Sequence, residues 1–357
     1  MNLENIRKVL ANLNEMGLNQ MLITDPLAIA YLTDYKNNPM ERFMGLLLKT
    51  DGSHVFFMNN LFPEPGFDMT IMHHGDGDDV MKDVAACCIK GEKLGVDKDL
   101  KARFLLPLMD LGAASGYVNA SLAVDMARAI KTDDEQQKMI TASAINDAAM
   151  AQFVGLIHEG VTEKEVSDKM LAIYKDLGAD GFSFTPIVAF GANAANPHHE
   201  TDDTVIKEGD CIIFDVGCIK DGYCSDMTRT FFYKSVSDHA RQVYELVRRA
   251  NEAAEALISP DVPLCKLDRA ARDVIAGAGY GPYFNHRLGH FSGRSEHEYG
   301  DVSEKSDLIA APGMCFSIEP GIYLEGEVGV RIEDLALVTP EGVKLLNTYP
   351  KELQIIG

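Results

Sequence analysis

The sequence lacks the marks of several protein classes. It has no tryptophan, no Cys-x-x-Cys pair, and no apolar run near the roughly 18 residues that a membrane span needs. Basic residues are also scarce, with 33 Lys and Arg against 54 Asp and Glu and a formal charge of −21. Because such a chain is repelled by a duplex phosphate backbone, we expect it to bind neither nucleic acid nor a membrane.

The seven cysteines argue against a disulfide scaffold. Their number is odd, and several lie inside apolar strand-like segments, where cysteine behaves as a small hydrophobic residue. The first eight residues carry charges in the pattern of an amphipathic helix and do not resemble a signal peptide. We therefore expect a cytoplasmic protein.

What is present indicates two α/β-type domains. A hydrophobic fraction of 46% is typical of a globular protein, and 357 residues exceed one ordinary domain. Strand and helix patterns mix up to about residue 128. The capping box Thr132-x-x-Glu135 then opens a helix predicted to reach about His158, and Thr162-x-x-Glu165 opens another. We predict an α/β (α+β) chain with domains at residues 1–128 and 132–357.

A predicted hairpin in the second domain brings two acids together. The apolar strand 211–214 runs directly into Asp215, and Asp226 follows a turn at residues 220–222. If the loop of this hairpin has two residues, both carboxylates point to one face of the strand pair. They are then either directly opposed or diagonal neighbours.

A second predicted hairpin repeats this arrangement. The strand 316–318 leads to Glu319, and the strand after residues 325–327 ends at Glu333. A three-residue loop at 325–327 places Glu319 opposite Glu333. Arg331 shares their face because it lies two residues away on a strand.

Opposed acids repel each other unless they are solvated or held by a cation. The residues that flank Asp215 and Glu319 are apolar, which favours burial, and buried charges need partners or metals. Any one of these acids is most simply a turn or edge-strand carboxylate. Two matched pairs favour a site for hard, oxygen-preferring divalent ions.

The histidines add a second set of ligand-type residues. No His-Glu-x-x-His motif is present, which excludes that class of single-zinc protease. Histidines cluster instead at residues 197–200 and 286–298, the second a glycine-rich segment. The residues alone leave these histidines open as either ligands or structural groups.

Taken in order, these segments resemble the Xaa-Pro peptidases, prolidase and aminopeptidase P, of the pita-bread metallopeptidase family. The resemblance rests on Pro197-His198, Phe214-Asp215-Val216-Gly217, Ser225-Asp226-Met227-Thr228-Arg229-Thr230, His286-x-x-Gly289-His290, His297-Glu298, Ile318-Glu319-Pro320-Gly321-Ile322-Tyr323 and Val330-Arg331-Ile332-Glu333-Asp334. Residues 17–33 are similar to the creatinase-like N-terminal domain that these enzymes share. The resemblance implies that N-terminal domain followed by a pita-bread catalytic domain.

The resemblance implies five metal ligands: Asp215, Asp226, His290, Glu319 and Glu333. In the family, the positions of Asp226 and Glu333 bridge two divalent ions. The Asp215 position binds one ion, and the His290 and Glu319 positions bind the other. Manganese is the expected metal, with cobalt or zinc as alternatives, and a hydroxide that bridges the ions attacks the substrate.

The resemblance also implies catalytic roles around the ions. His198 and His297 match positions that contact the substrate and its developing charge, and Glu319 matches the proton carrier. Arg331 and Tyr323 match residues next to the site, and the latter is expected to contact substrate. His286 matches a pocket position.

The implied reaction is hydrolysis of the bond before proline in a small peptide. A dipeptidase is favoured over aminopeptidase P because the chain is compact. A homodimer is expected because relatives with this N-terminal domain are commonly dimers. A non-catalytic pita-bread binding module is disfavoured, since all five ligand positions are filled.

Two residues depart from the usual Gly-His-Gly-Ile/Val-Gly-Leu pattern of the family. Phe291 replaces a glycine, and Arg294 replaces an apolar residue. We expect Arg294 to bring a cation close to the site, where it pairs with an acidic substrate group such as a free carboxylate. The alternative is that it points to solvent or to Glu296.

Overall fold

The computed structural model describes all 357 residues and confirms the predicted α/β class. By its contacts the chain divides into two units, Met1–Arg128 and Ala129–Gly357. The division into domains at residues 1–128 and 132–357 stays a prediction.

The first unit is built on one six-stranded sheet. Its elements are α1 (Leu3–Glu15), β1 (Gln20–Ile23), α2 (Pro26–Thr33), β2 (Gly45–Lys49), β3 (Val55–Asn59), β4 (Thr70–His74), α3 (Val80–Cys87), β5 (Lys93–Val96), α4 (Ala102–Asp110), β6 (Gly116–Asn119) and α5 (Ser121–Ala129). Hydrogen bonding orders the strands β4-β3-β2-β1-β5-β6.

Both faces of this sheet are buried because its strands are apolar at successive positions. In β2, Leu46 and Leu48 pack into a core with α1, α2 and α5, whereas Leu47 packs into a second core with α3 and α4. Successive strand residues point to opposite faces, so the unbroken apolar pattern of β2 requires helices on both sides.

The second unit contains four helices and several small sheets. Its elements are α6 (Asp133–Val154), α7 (Glu163–Asp176), β7 (Gly181–Phe182), β8 (Ile187–Phe190), β9 (Cys211–Val216), β10 (Cys218–Lys220), β11 (Tyr223–Cys224), β12 (Met227–Tyr233), α8 (Asp238–Glu255), α9 (Leu264–Gly277), β13 (Gly289–Phe291), β14 (Glu298–Val302), β15 (Cys315–Ile318), β16 (Gly321–Leu324), β17 (Val328–Arg331), β18 (Asp334–Thr339), β19 (Gly342–Leu345) and β20 (Ile355–Ile356).

The two larger sheets of this unit carry the strands that matter for the site. One has the order β20-β12-β9-β8, and the other has the order β14-β13-β15-β18-β19. In β9, Ile213 packs with α8 and α9, whereas Ile212 and Phe214 pack with α6 and α7. Helices therefore bury both faces of the sheet that contains Asp215.

The first two helices of the second unit begin where the sequence predicted. Both capping boxes, at Thr132 and Thr162, are formed. The predicted end of α6 at about His158 is wrong, because the helix ends at Val154. Apolar residues continue past that end: Ile157 is buried in the α6 and α7 core although it lies in a turn.

All seven cysteines are free thiols. None of the helices combines the length and the apolar character required to cross a bilayer.

Candidate metal centre

The hairpin that joins β9 to β12 sets Asp215 and Asp226 on one face. Its two-residue loop, Asp221-Gly222, has positive φ angles of 52° and 79°, as the tight hairpin turn requires. The strands keep the same pairing register from this loop to the point where Asp215 pairs with Thr228. Asp226 lies two residues before Thr228 and is the diagonal neighbour of Asp215, one of the two predicted arrangements.

A second register places Glu319 opposite Glu333. Leu324 pairs with Val328 across the loop at 325–327, and Ile318 pairs with Asp334 in the same register. Glu319 and Glu333 lie between these paired segments, at the opposed positions that the sequence predicted.

The two hairpins are joined through the backbone of Glu333. Its amide donates a hydrogen bond of 3.0 Å to the carbonyl oxygen of Thr228 on β12. The Thr228 hydroxyl in turn donates to Glu333 Oε2 at 2.7 Å. These bonds bring the acids of the second hairpin beside those of the first.

His290 reaches the acids from β13, which packs closely on β15. A Cβ atom added at Gly289 would lie 1.9 Å from the Ser317 carbonyl oxygen, so a larger residue would displace the strand that carries His290. Nδ1 of His290 lies 3.3 Å from the Phe291 carbonyl oxygen. With Nδ1–H donating there, the lone pair of Nε2 is directed to the acids.

Nε2 of His290 lies close enough to three carboxylates to bind the same metal ion as they do. His290 Nε2 is 3.5 Å from Glu319 Oε1, 3.7 Å from Asp226 Oδ2 and 3.9 Å from Glu333 Oε1. Ligand atoms that each lie about 2.0–2.2 Å from one ion are separated by roughly 3–4 Å. The spacing therefore suits a shared cation.

Two buried carboxylate oxygens lack a donor, which is the feature that most favours a metal. Asp215 Oδ1 and Asp226 Oδ1 are buried without any hydrogen-bond partner. Leaving a charged oxygen buried in this way is costly unless a cation faces it. Four carboxylates and one imidazole form a donor set that suits divalent ions such as Mn²⁺. The five residues therefore fit a divalent-metal site.

Burial and mutual repulsion shift the pKa values of the ligand-type groups. Burial raises the pKa of Glu319 from 4.5 to about 7, although Arg331 opposes the shift. Burial and the neighbouring carboxylates, Glu333 first among them, raise the pKa of Asp226. Burial and the charge of Glu319 likewise raise the pKa of Glu333. Burial lowers the pKa of His290 to about 3, which keeps the imidazole neutral.

Arg331 holds the acids from one side. Its Nη2 donates to Asp215 Oδ2 at 2.6 Å, and its Nε donates to the Thr228 hydroxyl at 3.2 Å. Since Thr228 donates to Glu333, one guanidinium orients Asp215 directly and Glu333 through the threonine.

The predicted pocket residue His286 is linked to Arg331 through Tyr323. Its Nδ1 is 2.7 Å from the Arg287 carbonyl oxygen, and its Nε2 is 2.9 Å from the Tyr323 hydroxyl. Burial lowers the pKa of His286 to about 4, so the ring is neutral and accepts the Tyr323 proton at Nε2. The Tyr323 oxygen accepts from Arg331 Nη1 at 2.9 Å. Tyr323 and His286 thus orient Arg331.

All five ligand-type residues line one cavity of about 290 Å³. Of the other residues in its wall, the sequence predicted His198, His286, His297 and Arg331, and assigned no site role to Phe184, Ile187, Pro197, Arg287 and Glu296. Arg287 directly follows His286 in the histidine motif, and this position was the one feature of the sequence that could have indicated its place in the cavity wall. Nothing in their segments distinguishes Phe184 or Ile187 from ordinary core residues.

Two predicted substrate contacts are absent from the cavity wall. Tyr323 is buried behind Arg331. Arg294 lies against Tyr223, with Nε 3.1 Å from the hydroxyl and the guanidinium 5.1 Å from the ring centre. Tyr223 donates to Glu135 Oε1 on α6 at 2.6 Å. This packing directs Arg294 to α6, so the expected contact with a substrate carboxylate has no support in the geometry.

Comparison with family models identifies the family of the chain. Residues 137–340 match metallopeptidase family M24, and residues 5–130 match the creatinase/prolidase N-terminal domain. The chain therefore belongs to metallopeptidase family M24 and is an enzyme of that class. The resemblance to the Xaa-Pro peptidases of the pita-bread fold is confirmed.

Individual relatives match over almost the whole chain. An uncharacterized peptidase of Staphylococcus aureus is 36% identical over 354 residues, which cover 97% of this chain and 99% of that protein. A dipeptidase structure from Pyrococcus horikoshii, at 32% identity, has a TM-score of 0.93 and covers 99% of this chain and 100% of that one. An Xaa-Pro dipeptidase structure from Bacillus anthracis, at 30% identity, has a TM-score of 0.90 and covers 99% of both chains.

Metal binding at pH 7 is expected to release protons. A carboxyl group whose pKa is raised on folding holds more protons in the folded state, so its contribution to the stability of the metal-free protein falls as the pH rises from about 4.5 towards 7. A cation binds the ionised form, so the apparent affinity for Mn²⁺ rises over the same range. Calorimetric titration in two buffers of different ionisation enthalpy measures the released protons.

Glu319→Gln is the matched variant for this measurement, since it removes the carboxyl group with the pKa of about 7. It is expected to release fewer protons than the unmodified protein. Identical binding heats in both buffers would contradict the expectation.

Proposed function

We propose that this chain hydrolyses the peptide bond before proline, as an Xaa-Pro dipeptidase. The observation that carries the proposal is a small cavity in which five ligand-type residues meet, two of them with donor-free buried oxygens. The similar structure from Bacillus anthracis is that of an Xaa-Pro dipeptidase. A cavity of about 290 Å³ suits a short peptide.

Two divalent ions, when held by Asp215, Asp226, His290, Glu319 and Glu333, supply Lewis acidity to the scissile carbonyl and lower the pKa of water. Mn²⁺ is the first candidate, with Co²⁺ and Zn²⁺ as alternatives. At −1 each, the four carboxylates balance two ions of +2, so the cluster is neutral when it is loaded.

Glu319 is the group we assign to proton transfer. Its side chain is 16% exposed, more than those of Asp226 and Glu333, and it lines the cavity. Its Oε1 accepts a hydrogen bond of 3.2 Å from the Ser317 hydroxyl, which fixes its orientation. It takes a proton from the attacking water and delivers it to the leaving proline nitrogen.

His198 and His297 are assigned to the developing negative charge. Both line the cavity, and neither belongs to the ligand set. Burial lowers the pKa of His297, so its ring is neutral near pH 7 and offers one N–H. Donors aimed at the carbonyl oxygen stabilise it as it becomes an oxyanion.

The proline ring of the substrate is assigned to the apolar part of the wall. The nitrogen of the scissile bond belongs to the proline ring and carries no hydrogen, so a site for this bond recognises shape instead of an N–H donor. Phe184, Ile187 and Pro197 supply such a surface. A homodimer and a cytoplasmic location stay predictions.

The direct test is hydrolysis by metal-stripped protein after addition of Mn²⁺, Co²⁺ or Zn²⁺. We expect cleavage of Ala-Pro and Met-Pro, slower cleavage of Ala-Pro-Ala, and none of Met-Ala-Ser. Glu319→Gln is the matched control and is expected to lose at least about 10²-fold in kcat. Faster cleavage of the tripeptide would indicate an aminopeptidase P, and no cleavage with any metal would contradict the peptidase proposal.

The two arginines near the site provide a test of whether the free carboxylate of a dipeptide is recognised. Arg287 lines the cavity, whereas Arg294 contacts Tyr223. We expect Arg287→Ala to raise the KM for Ala-Pro roughly tenfold through loss of a charged contact to the free carboxylate. Arg294→Ala is expected to change it less than about twofold, because its guanidinium lies outside the cavity wall.

The amide Ala-Pro-NH₂ is the control substrate, since it lacks the carboxylate and its KM should be the same for both variants. A larger effect on Ala-Pro from Arg294→Ala would restore the expectation drawn from the sequence.

A further inference from the structure

A second group of ligand-type side chains lies outside the metal cavity. Glu163, His199 and Asp202 offer ligand atoms within 4.8 Å of one another. The Glu163 carboxylate, which is fully buried, accepts four hydrogen bonds. Phe190 N (2.7 Å) and Asn193 Nδ2 (2.9 Å) donate to Oε1, and His199 Nε2 (2.6 Å) and Asp202 N (3.1 Å) donate to Oε2. Because N–H groups face both oxygens, this group does not suit a cation.

The four donors belong to the two ends of one segment. Residues 190–204, which we call the His198 loop, connect β8 towards β9 and carry Pro197-His198 between the donors. Phe190 and Asn193 precede His198, and His199 and Asp202 follow it. The Glu163 carboxylate thus ties both ends of the His198 loop to the start of α7.

The returning end of the loop has a second, independent attachment to α7. The amide of Glu163 donates to the Thr204 carbonyl oxygen at 3.1 Å. The amide of Lys164 donates to the Asp202 carbonyl oxygen at 2.9 Å. These backbone bonds do not involve the Glu163 carboxylate. A change confined to the carboxylate therefore leaves the loop attached at one end.

The position of His198 depends on this backbone. His198 is exposed on the cavity wall, and its amide donates to Asn196 Oδ1 at 3.1 Å within the same loop. Arg331 Nη1 lies 3.4 Å from the Pro197 carbonyl oxygen. The four bonds to Glu163 are shorter than this contact and involve a buried charge, for which hydrogen bonds are stronger.

We propose that Glu163 is a positioning residue that holds His198 in the cavity wall through the His198 loop. The inference rests on the proposed function in taking His198 as a donor to the substrate. Displacing such a donor by about 1 Å costs up to about 10²-fold in rate, even when the change lies far from the reacting atoms. Glu163 touches neither the ligand set nor the cavity, so its effect is transmitted by the loop backbone.

Glu163→Gln tests this role with little change in volume. The glutamine oxygen still accepts from Phe190 and Asn193. Its NH₂ group faces the Asp202 amide and loses that bond, and it keeps a bond to His199 only by donating to Nε2 of the other ring tautomer. We expect kcat for Ala-Pro to fall roughly 10- to 100-fold, with KM within about threefold and metal content unchanged. Glu165→Gln is the matched control on the same helix, since its carboxylate accepts from the Thr162 amide at the helix cap. It is expected to keep kcat within about twofold.

A double-mutant cycle separates positioning from a general loss of stability. In the His198→Ala background, Glu163→Gln is expected to change kcat less than about twofold, because the group it positions is gone. An equal loss in both backgrounds would overturn the proposal. If Glu163→Gln does not fold, His199→Gln keeps the other three donors and is expected to give a smaller fall in the same direction.

Amide hydrogen exchange provides a readout that does not depend on catalysis. Peptides that cover residues 190–204 are expected to exchange faster in Glu163→Gln than in Glu165→Gln, with the rest of the chain unchanged. Unchanged exchange there would overturn the proposal. An inactive but metal-loaded wild-type protein would contradict the proposed function, while the exchange experiment would still decide whether Glu163 anchors the loop.

Discussion

The repulsion among four buried carboxylates is the constraint on which the catalytic unit depends. Asp215, Asp226, Glu319 and Glu333 line one small cavity, and the ring beside them, His290, is neutral because burial lowers its pKa. Arg331 is the cationic side chain that contacts one of these carboxylates, that of Asp215. Arg287 also lines the cavity, and two positive charges do not balance four negative ones, so the cavity holds protons or takes up cations.

Apart from Arg331, the groups around the site keep the acids in place without neutralising them. Two hairpin registers bring the acids together, and Thr228 links the hairpins. Behind the site, the buried Arg229 donates to the Glu333 carbonyl oxygen at 2.7 Å and to Asp334 Oδ1 at 2.7 Å. This arginine holds the backbone of Glu333 and leaves its carboxylate to the cavity. The surrounding charges therefore fix geometry while the affinity for a cation is preserved.

The acidic half of the site follows from local sequence. A two-residue Asp-Gly turn and a three-residue loop each determine a register, and a register determines which acids share a face. The position of His290 could not be predicted in this way, because a histidine in a glycine-rich segment has no periodicity that fixes the direction of its side chain. Its place came from the family resemblance.

Other features depend on contacts between distant parts of the chain. Arg294 lies in an irregular segment, and the tyrosine that it contacts is 71 residues away in sequence. Glu163 directly follows the cap residue Thr162, so the sequence marks it only as an acid in the first turn of a helix. Its four donors lie 27 to 39 residues further on, and no local pattern links them to it.

The central claim is that divalent cations bind between the four carboxylates and His290. A crystal structure of the Mn²⁺-loaded protein, with anomalous scattering measured at the manganese edge, tests it most directly. We expect two anomalous peaks per chain, one between Asp226, Glu333 and Asp215 and one beside His290 and Glu319, with ligand distances of about 2.0–2.3 Å. The absence of any peak at these five residues, with manganese bound elsewhere or not at all, would contradict the account.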